Sequence, residues 1–213
     1  MTFMINENDI TDRVNWPNGY SEAALPKRLV GKTIIGFTGP KQSGKSTAAD
    51  YLVGKDFKKL SFAEPIKDIV WFLLQGFNLK SDYIEQLMTT HKEVIIPELG
   101  VSVRTLMQTL GTDWGRDLIH ADIWTVWMSK RLLTETAEYL VFEDVRFENE
   151  AALIRSMGGL IIHIDRDSLI SLDDHASEAG INPHADDEFI LNDSTVAHFL
   201  AQVDAAVAVF VLA

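Results

Sequence analysis

The segment Thr33-Ile-Ile-Gly-Phe-Thr-Gly39-Pro-Lys-Gln-Ser-Gly44-Lys45-Ser46 constrains this chain more than any other. Its first six residues are short, apolar and β-branched, the composition of a buried strand. Its last eight fit G-x-x-x-x-G-K-[ST], and the residues from Ser46 to Gly54 that follow have helical character. Strand, glycine-rich turn and helix in that order build a phosphate cradle. The glycines let backbone N–H groups turn inward around a polyphosphate, and the positive helix N-terminus adds to the attraction. Lys45 is placed to reach the β- and γ-phosphates, and the Ser46 hydroxyl to ligate Mg²⁺. Gly39, Lys41, Ser43, Gly44, Lys45, Ser46 and Thr47 are the expected nucleotide contacts, with Thr47 a helix residue before it is a ligand.

The rest of the chain supports an α/β reading. Further strand runs stand at 60–63, 139–142, 160–164 and 189–191. Helical patterns follow Pro65 and cover 81–88, 102–110, 122–136, 148–157 and about 195–211, with Asp122 and Asn192-Asp193 as capping residues. Strands alternating with helices imply a parallel sheet with helices on both faces, a three-layer fold. The 213 residues suit a single domain at 32–213 behind an N-terminal extension, 1–31, where Trp16 and Tyr20 want a surface to pack on. An irregular acidic stretch at 166–188 is a candidate lid.

Charge narrows the partners. Lys and Arg number 19 against 31 Asp and Glu, for a net charge of −12. Such a chain is a poor non-specific binder of nucleic acid or of anionic membrane. The excess is uneven: residues 1–131 hold 16 basic against 15 acidic side chains, and residues 132–213 hold 3 against 16. Those three are Arg146, Arg155 and Arg166. Cysteine is absent, which excludes disulfides and thiolate metal sites. With no membrane-length apolar run and no signal pattern at the start, the expected location is the cytoplasm.

Two more segments carry chemistry. The run Val141-Phe-Glu143-Asp144-Val-Arg146-Phe-Glu-Asn-Glu150 puts acids at the end of a buried strand. There a carboxylate faces a metal or its waters, or accepts a proton from an attacking oxygen. Asp144 is the first choice and Glu143 the second, since adjacent strand residues point to opposite faces. Arg146 can clamp a phosphate bidentately or pair with Glu148 or Glu150. Arg104 and Gln108, four apart, share a helix face able to read a base and its phosphate, while Leu106 and Leu110 face the core. Arg116 follows two glycines, where backbone approaches a ligand closely. The spacing of His175 and His184 does not suit a metal site. No Asn-Lys-x-Asp tetrapeptide is present, so a regulatory GTPase is not indicated, and the size suits a small-molecule kinase.

With those residues in view, the chain resembles the bacteriophage-type deoxynucleoside monophosphate kinases over about residues 33–204. The resemblance rests on the phosphate loop, Ser61-Phe-Ala-Glu-Pro-Ile-Lys67, Arg104 to Arg116, Glu143-Asp-Val-Arg-Phe-Glu-Asn-Glu150 and Asp174-His-Ala-Ser-Glu178. It implies a P-loop nucleoside-monophosphate-kinase fold with core, substrate-binding and lid parts. It also implies phosphoryl transfer from ATP, with Mg²⁺, to a deoxynucleoside 5′-monophosphate for phage DNA precursor synthesis. On that resemblance Lys45 and Ser46 serve the ATP phosphates and metal, with Asp144 near metal and acceptor. Arg104, Arg116 and Arg146 are acceptor-side contacts, and Ser61, Phe62, Lys67 and Gln108 are base or sugar contacts. Arg166 is the lid's only arginine, and His175, Ser177 and Glu178 line the acceptor pocket. The strand ends Glu-Asp where the family suggests Asp-Asp, and the lid is acidic where related lids supply arginines. A second reading keeps the fold and donor but phosphorylates the hydroxyl of a hydroxymethylated pyrimidine in DNA. A third is a nucleotide-binding regulator without turnover. Trp124 and Trp127, read as exposed, suggest a homodimer.

Overall fold

A computed structural model describes residues 32–166 and 180–212. Five parallel strands form the sheet: β1 (Thr33–Thr38), β2 (Lys58–Leu60), β5 (Tyr139–Phe142), β6 (Leu160–Asp165) and β7 (Glu188–Leu191). Their order across the sheet is β2-β5-β1-β6-β7. The chain therefore leaves β1 for β2 on one side and later returns to β6 on the other. At such a reversal the crevice beyond the strand ends is open to a ligand, and the glycine loop that follows β1 opens there.

The sheet is buried on both faces because each central strand alternates two apolar sets. Ile34, Leu140, Phe142 and Ile161 face one core, closed by α5 (Ile123–Leu132) and α6 (Glu148–Ser156). Ile35, Phe37, Val141, Ile162 and Ile164 face the other, closed by α1 (Lys45–Val53) and α7 (Val196–Leu212). A third apolar cluster lies apart from the sheet. It joins Val70 and Leu74 of α2 (Glu64–Gly76), Ile84 and Leu87 of α3 (Ser81–Met88), Ile96 of β3 (Ile95–Ile96), and Val103 of α4 (Val103–Gln108). β3 pairs antiparallel with β4 (Val101–Ser102). This insertion stands on its own core, beside the mouth of the crevice. Among the described residues no helix is long and apolar enough to cross a membrane.

Several local expectations change. The second strand is Lys58–Leu60, not 60–63, because the N–H groups of Phe62 and Ala63 turn to Asp144 instead of a strand partner. The helix expected at 102–110 continues as an eleven-residue π-helix, Thr109–Ile119. Gly111 and Gly115 are buried along it, and the wider coil lets the indole of Trp124 lie against them. Trp124 is thus 3% exposed, its Nε1 donating to the Gly111 carbonyl at 2.7 Å, and Trp127 packs on the first core. Trp124 is buried and Trp127 half-buried, so neither is the fully exposed indole on which the expectation of a homodimer rests. The helix expected at 122–136 ends at Leu132, where the Glu135 carboxylate takes the N–H groups of Thr136 and Ala137. Asp122 sits at the N-cap of α5, but its carboxylate accepts from Asn149 Nδ2 (2.8 Å) and not from its own helix. α7 is capped by Thr195, whose Oγ1 accepts from His198 N, and not by Asn192-Asp193. Asn192 instead braces the glycine loop, donating to the Ser43 carbonyl at 2.8 Å.

Residues 1–31, His175, Ser177 and Glu178 lie outside the described residues, as does most of the lid segment. Its two ends are described. Arg166 Nη1 donates to the Gln42 carbonyl at 3.3 Å, beside the glycine loop. Residues 180–187 are tied down through Asp187, which accepts from Arg155 Nη2 (2.6 Å), His163 Nε2 (2.8 Å) and His184 N (2.9 Å).

Candidate active site

One cleft of about 340 Å³ opens at the C-terminal ends of β1 and β5, between the sheet and the inserted cluster. Its walls bring together Lys41, Lys45, Ser46, Phe62, Lys67, Arg104, Gln108, Arg116, Glu143, Asp144 and Arg146, residues up to 105 positions apart in the sequence.

On the β1 side the glycine loop is fixed by backbone geometry. Gly39 has φ 138°, and a Cβ there would overlap the Ile164 carbonyl oxygen, so only glycine fits beside β6. Lys45 Nζ donates to the carbonyls of Gly39 and Pro40, at 2.7 Å each. Ser43 is fully buried, and its Oγ has no hydrogen-bond partner among the described residues. A buried hydroxyl without a partner is costly unless something else pairs with it, and a phosphate oxygen in this loop is a matching acceptor. Ser46 and Thr47 are exposed at the start of α1.

At the end of β5 the two acids diverge. Asp144 turns to the start of α2: Ser61 Oγ donates to Oδ2 at 2.6 Å, Ala63 N to Oδ2 at 3.1 Å, and Phe62 N to Oδ1 at 3.2 Å. Its carboxylate supplies the cap that α2 lacks from its own N-cap residue, Ala63. Glu143 lies toward Lys59, 3.5 Å away. Ser61 thus acts through Asp144. Phe62 is a core residue, 2% exposed and stacked on Phe142 at 5.0 Å, with its edge in the cleft.

The far wall is cationic. Lys92 is a residue that sequence reasoning missed, because a lone lysine in an irregular loop carries no motif. Burial pushes its ammonium below the usual lysine value, and Lys67, Arg104 and Arg146 push it the same way against the pull of Glu143. Four cations close enough to depress one of them form a ready site for a dianion. Arg104 is oriented by Glu93, to which its Nε donates. The Arg104 N–H bond to the Lys92 carbonyl, 2.9 Å long, ties the loop that carries Lys92 to the start of α4. Arg104 and Gln108 both reach the cleft, as their shared face requires, while Leu106 and Leu110 join the third core.

Arg116, on the π-helix, is largely buried and heavily engaged. Its Nη2 donates to Glu150 Oε1 at 2.5 Å, and its Nη1 donates to the Ala121 carbonyl (3.1 Å) and to Asn149 Oδ1 (3.3 Å). Its guanidinium lies 3.8 Å over the Phe147 ring. Glu150 is buried too, and burial pushes its carboxyl up to about 7, against the pull of Arg116. The other oxygen of Glu150, Oε2, accepts from the Arg146 N–H at 2.8 Å. Among the described residues no group of three or more His, Asp or Glu side chains could hold a metal alone.

Comparison with known proteins fits this geometry. The family model for deoxynucleotide monophosphate kinase matches residues 79–203, more than half of the chain. A protein of Acanthamoeba polyphaga mimivirus, provisionally named a deoxynucleotide monophosphate kinase, is 34% identical over 186 residues, 80% of this chain and 93% of its own length. The deoxynucleoside-5′-monophosphate kinase of Escherichia phage T5 is 33% identical over 108 residues, 46% of this chain and 42% of its own length. The deoxynucleotide monophosphate kinase of Enterobacteria phage T4 is 25% identical over 232 residues, 80% of this chain and 96% of its own length.

Proposed function

Because the chain belongs to the deoxynucleotide monophosphate kinase family, we propose that it transfers the terminal phosphoryl group of ATP to a deoxynucleoside 5′-monophosphate. The products are ADP and the deoxynucleoside diphosphate. The observation that carries this reading is the two-ended cleft: a glycine loop with Lys45 and Ser46 at one end, and Lys67, Lys92, Arg104 and Arg146 at the other. Two anions must be brought together, and cations at both ends offset their mutual repulsion.

The glycine loop and Lys45 hold the β- and γ-phosphates, and the Ser43 hydroxyl supplies a further donor. The cationic wall holds the acceptor phosphate, with Gln108 facing the base or sugar and Arg166 at the loop's outer edge. An acceptor oxygen attacks the γ-phosphorus in line, the bond to the bridging oxygen breaks, and ADP leaves with that electron pair. No side chain has to remove a proton, because the acceptor phosphate is already ionised. The Ser46 hydroxyl and Asp144, or Glu143, are hard oxygen donors, and Mg²⁺ is ordinarily held by one or two carboxylates plus substrate phosphates, so the donor set fits that ion. When bound, Mg²⁺ neutralises charge on the phosphoryl oxygens.

The test is ADP release measured across deoxynucleoside and ribonucleoside monophosphates. Release should depend on a deoxynucleotide, and Lys45→Ala should lower kcat by about 10²-fold or more in a chain that still folds. No mononucleotide-dependent release, or label passing from ATP only into hydroxymethylated DNA, would overturn the proposal.

A further inference from the structure

We infer that Glu150 is a positioning residue for the acceptor end of the cleft, acting through both Arg146 and Arg116. This rests on the phosphotransfer reading above. Glu150 stands at the third position of α6, and its carboxylate reaches back to the N–H of Phe147 (3.2 Å) and of Arg146 (2.8 Å) with Oε2. A capping residue would ordinarily stop there, at a solvated helix start. This one is 3% exposed and gives its other oxygen to Arg116, a residue of the π-helix 34 positions earlier. One carboxylate thus fixes the loop bearing Asp144 and Arg146 against the element bearing Arg116.

The surroundings leave little slack. Phe147 lies under the Arg116 guanidinium, and Asn149 links the start of α6 to Ala121 and Asp122, at 3.0 and 2.8 Å. All four of Arg116, Arg146, Phe147 and Glu150 line the cleft. A carboxylate offers two acceptor oxygens to donors approaching from opposite sides. Phosphate recognition by guanidinium depends on fixed geometry, so a group that sets the backbone of one arginine and the side chain of another sets the acceptor site.

Glu150→Gln separates these roles by chemistry. Glutamine has one acceptor oxygen, so its amide nitrogen must meet either the two N–H groups or the guanidinium, and one side lets go. Glu150→Asp keeps the charge and both oxygens but is one methylene too short to span both sides. The full chain is assayed with the preferred monophosphate varied at saturating ATP, and with ATP varied at saturating monophosphate. Calorimetric binding of the monophosphate is measured beside thermal unfolding. The expected result is a KM for the monophosphate raised at least about fivefold in Glu150→Gln, with KM for ATP within about twofold. Glu150→Asp, which keeps the charged pair and so the better chance of folding, should shift the same way. An unchanged monophosphate KM in either folded variant would overturn the inference. So would an equal rise in both KM values, which marks general loosening. A wild-type chain that binds the monophosphate without turnover would sink the phosphotransfer reading instead. In that event the calorimetric affinity decides for Glu150: weaker monophosphate binding in Glu150→Gln supports its role, and unchanged binding refutes it.

Discussion

Gly115→Ala sets two opposed effects against each other at the wall of the cleft. In an exposed helix, alanine would stabilise by about 0.5–1 kcal/mol, through the backbone entropy that glycine loses. Here the added Cβ would stand 2.6 Å from Trp124 Cζ2, 2.9 Å from Cε2 and 2.9 Å from the Leu110 carbonyl oxygen. Relaxing the first contact to about 3.5 Å requires a shift of roughly 0.9 Å. The indole cannot give way freely, because it is 3% exposed and its Nε1 is held by the Gly111 carbonyl. Overpacking of this kind costs about 1–3 kcal/mol, and stretching that buried hydrogen bond costs about 1 kcal/mol more. Packing therefore outweighs propensity, for a net loss of about 1–3 kcal/mol. Urea unfolding followed by far-ultraviolet circular dichroism reads the loss directly. A loss of about 2 kcal/mol lowers Tm by roughly 4–8 °C in a domain of this size. Because Arg116 is the next residue, KM for the monophosphate should rise as well. A Gly115→Ala chain as stable as the wild type, or more so, would refute the reading of the π-helix as packed by fit against Trp124.

Lys92→Ala should raise KM for the monophosphate about tenfold, equivalent to about 1.4 kcal/mol, and leave KM for ATP unchanged; equal effects on both substrates would remove Lys92 from the acceptor site. Asp187 links stability to pH. Burial raises its carboxyl, but Arg155, His163 and the His184 N–H outweigh that and hold it below the usual aspartate value of 3.8. The stability this contributes is present above pH 3.8 and is lost as pH falls through the lowered folded value. Asp187→Asn should therefore be less stable at neutral pH and show a shallower decline on acidification, read by thermal unfolding between about pH 6 and about pH 3. Glu150 has the opposite sign. Its raised carboxyl makes the folded chain bind the extra proton, so its contribution falls as pH rises from 4.5 to about 7. Glu150→Gln should weaken that fall in the same unfolding series.

The strand and glycine-loop core was legible because its signals are local. β1 and β5 form where runs of apolar residues have no alternative to burial, and α3 begins and ends at Ser81 and Met88 as its pattern indicates. Arg104 and Gln108 share a helical face by spacing alone, and the cleft receives both. The misreadings occur where a partner distant in sequence captures a local group. Phe62 and Ala63 leave the strand because Asp144 takes their N–H groups. Asp122 is diverted from its helix by Asn149, and Asn192 by the glycine loop.

What the sequence determined by itself is the phosphate-loop pattern at the proposed ATP end, since a glycine loop, lysine and serine lie within eight residues. It also determined the split of charge, balanced over residues 1–131 and acidic over residues 132–213. The proposed acceptor end belongs to the tertiary structure. Lys67, Lys92, Arg104 and Arg146 come from four separate segments, and only the packing of the inserted core against the sheet brings the other three close enough to act on Lys92 in one cleft. Glu150 is the same case: as sequence it is one more acid in an acidic run, and burial between two arginines gives it a position to enforce.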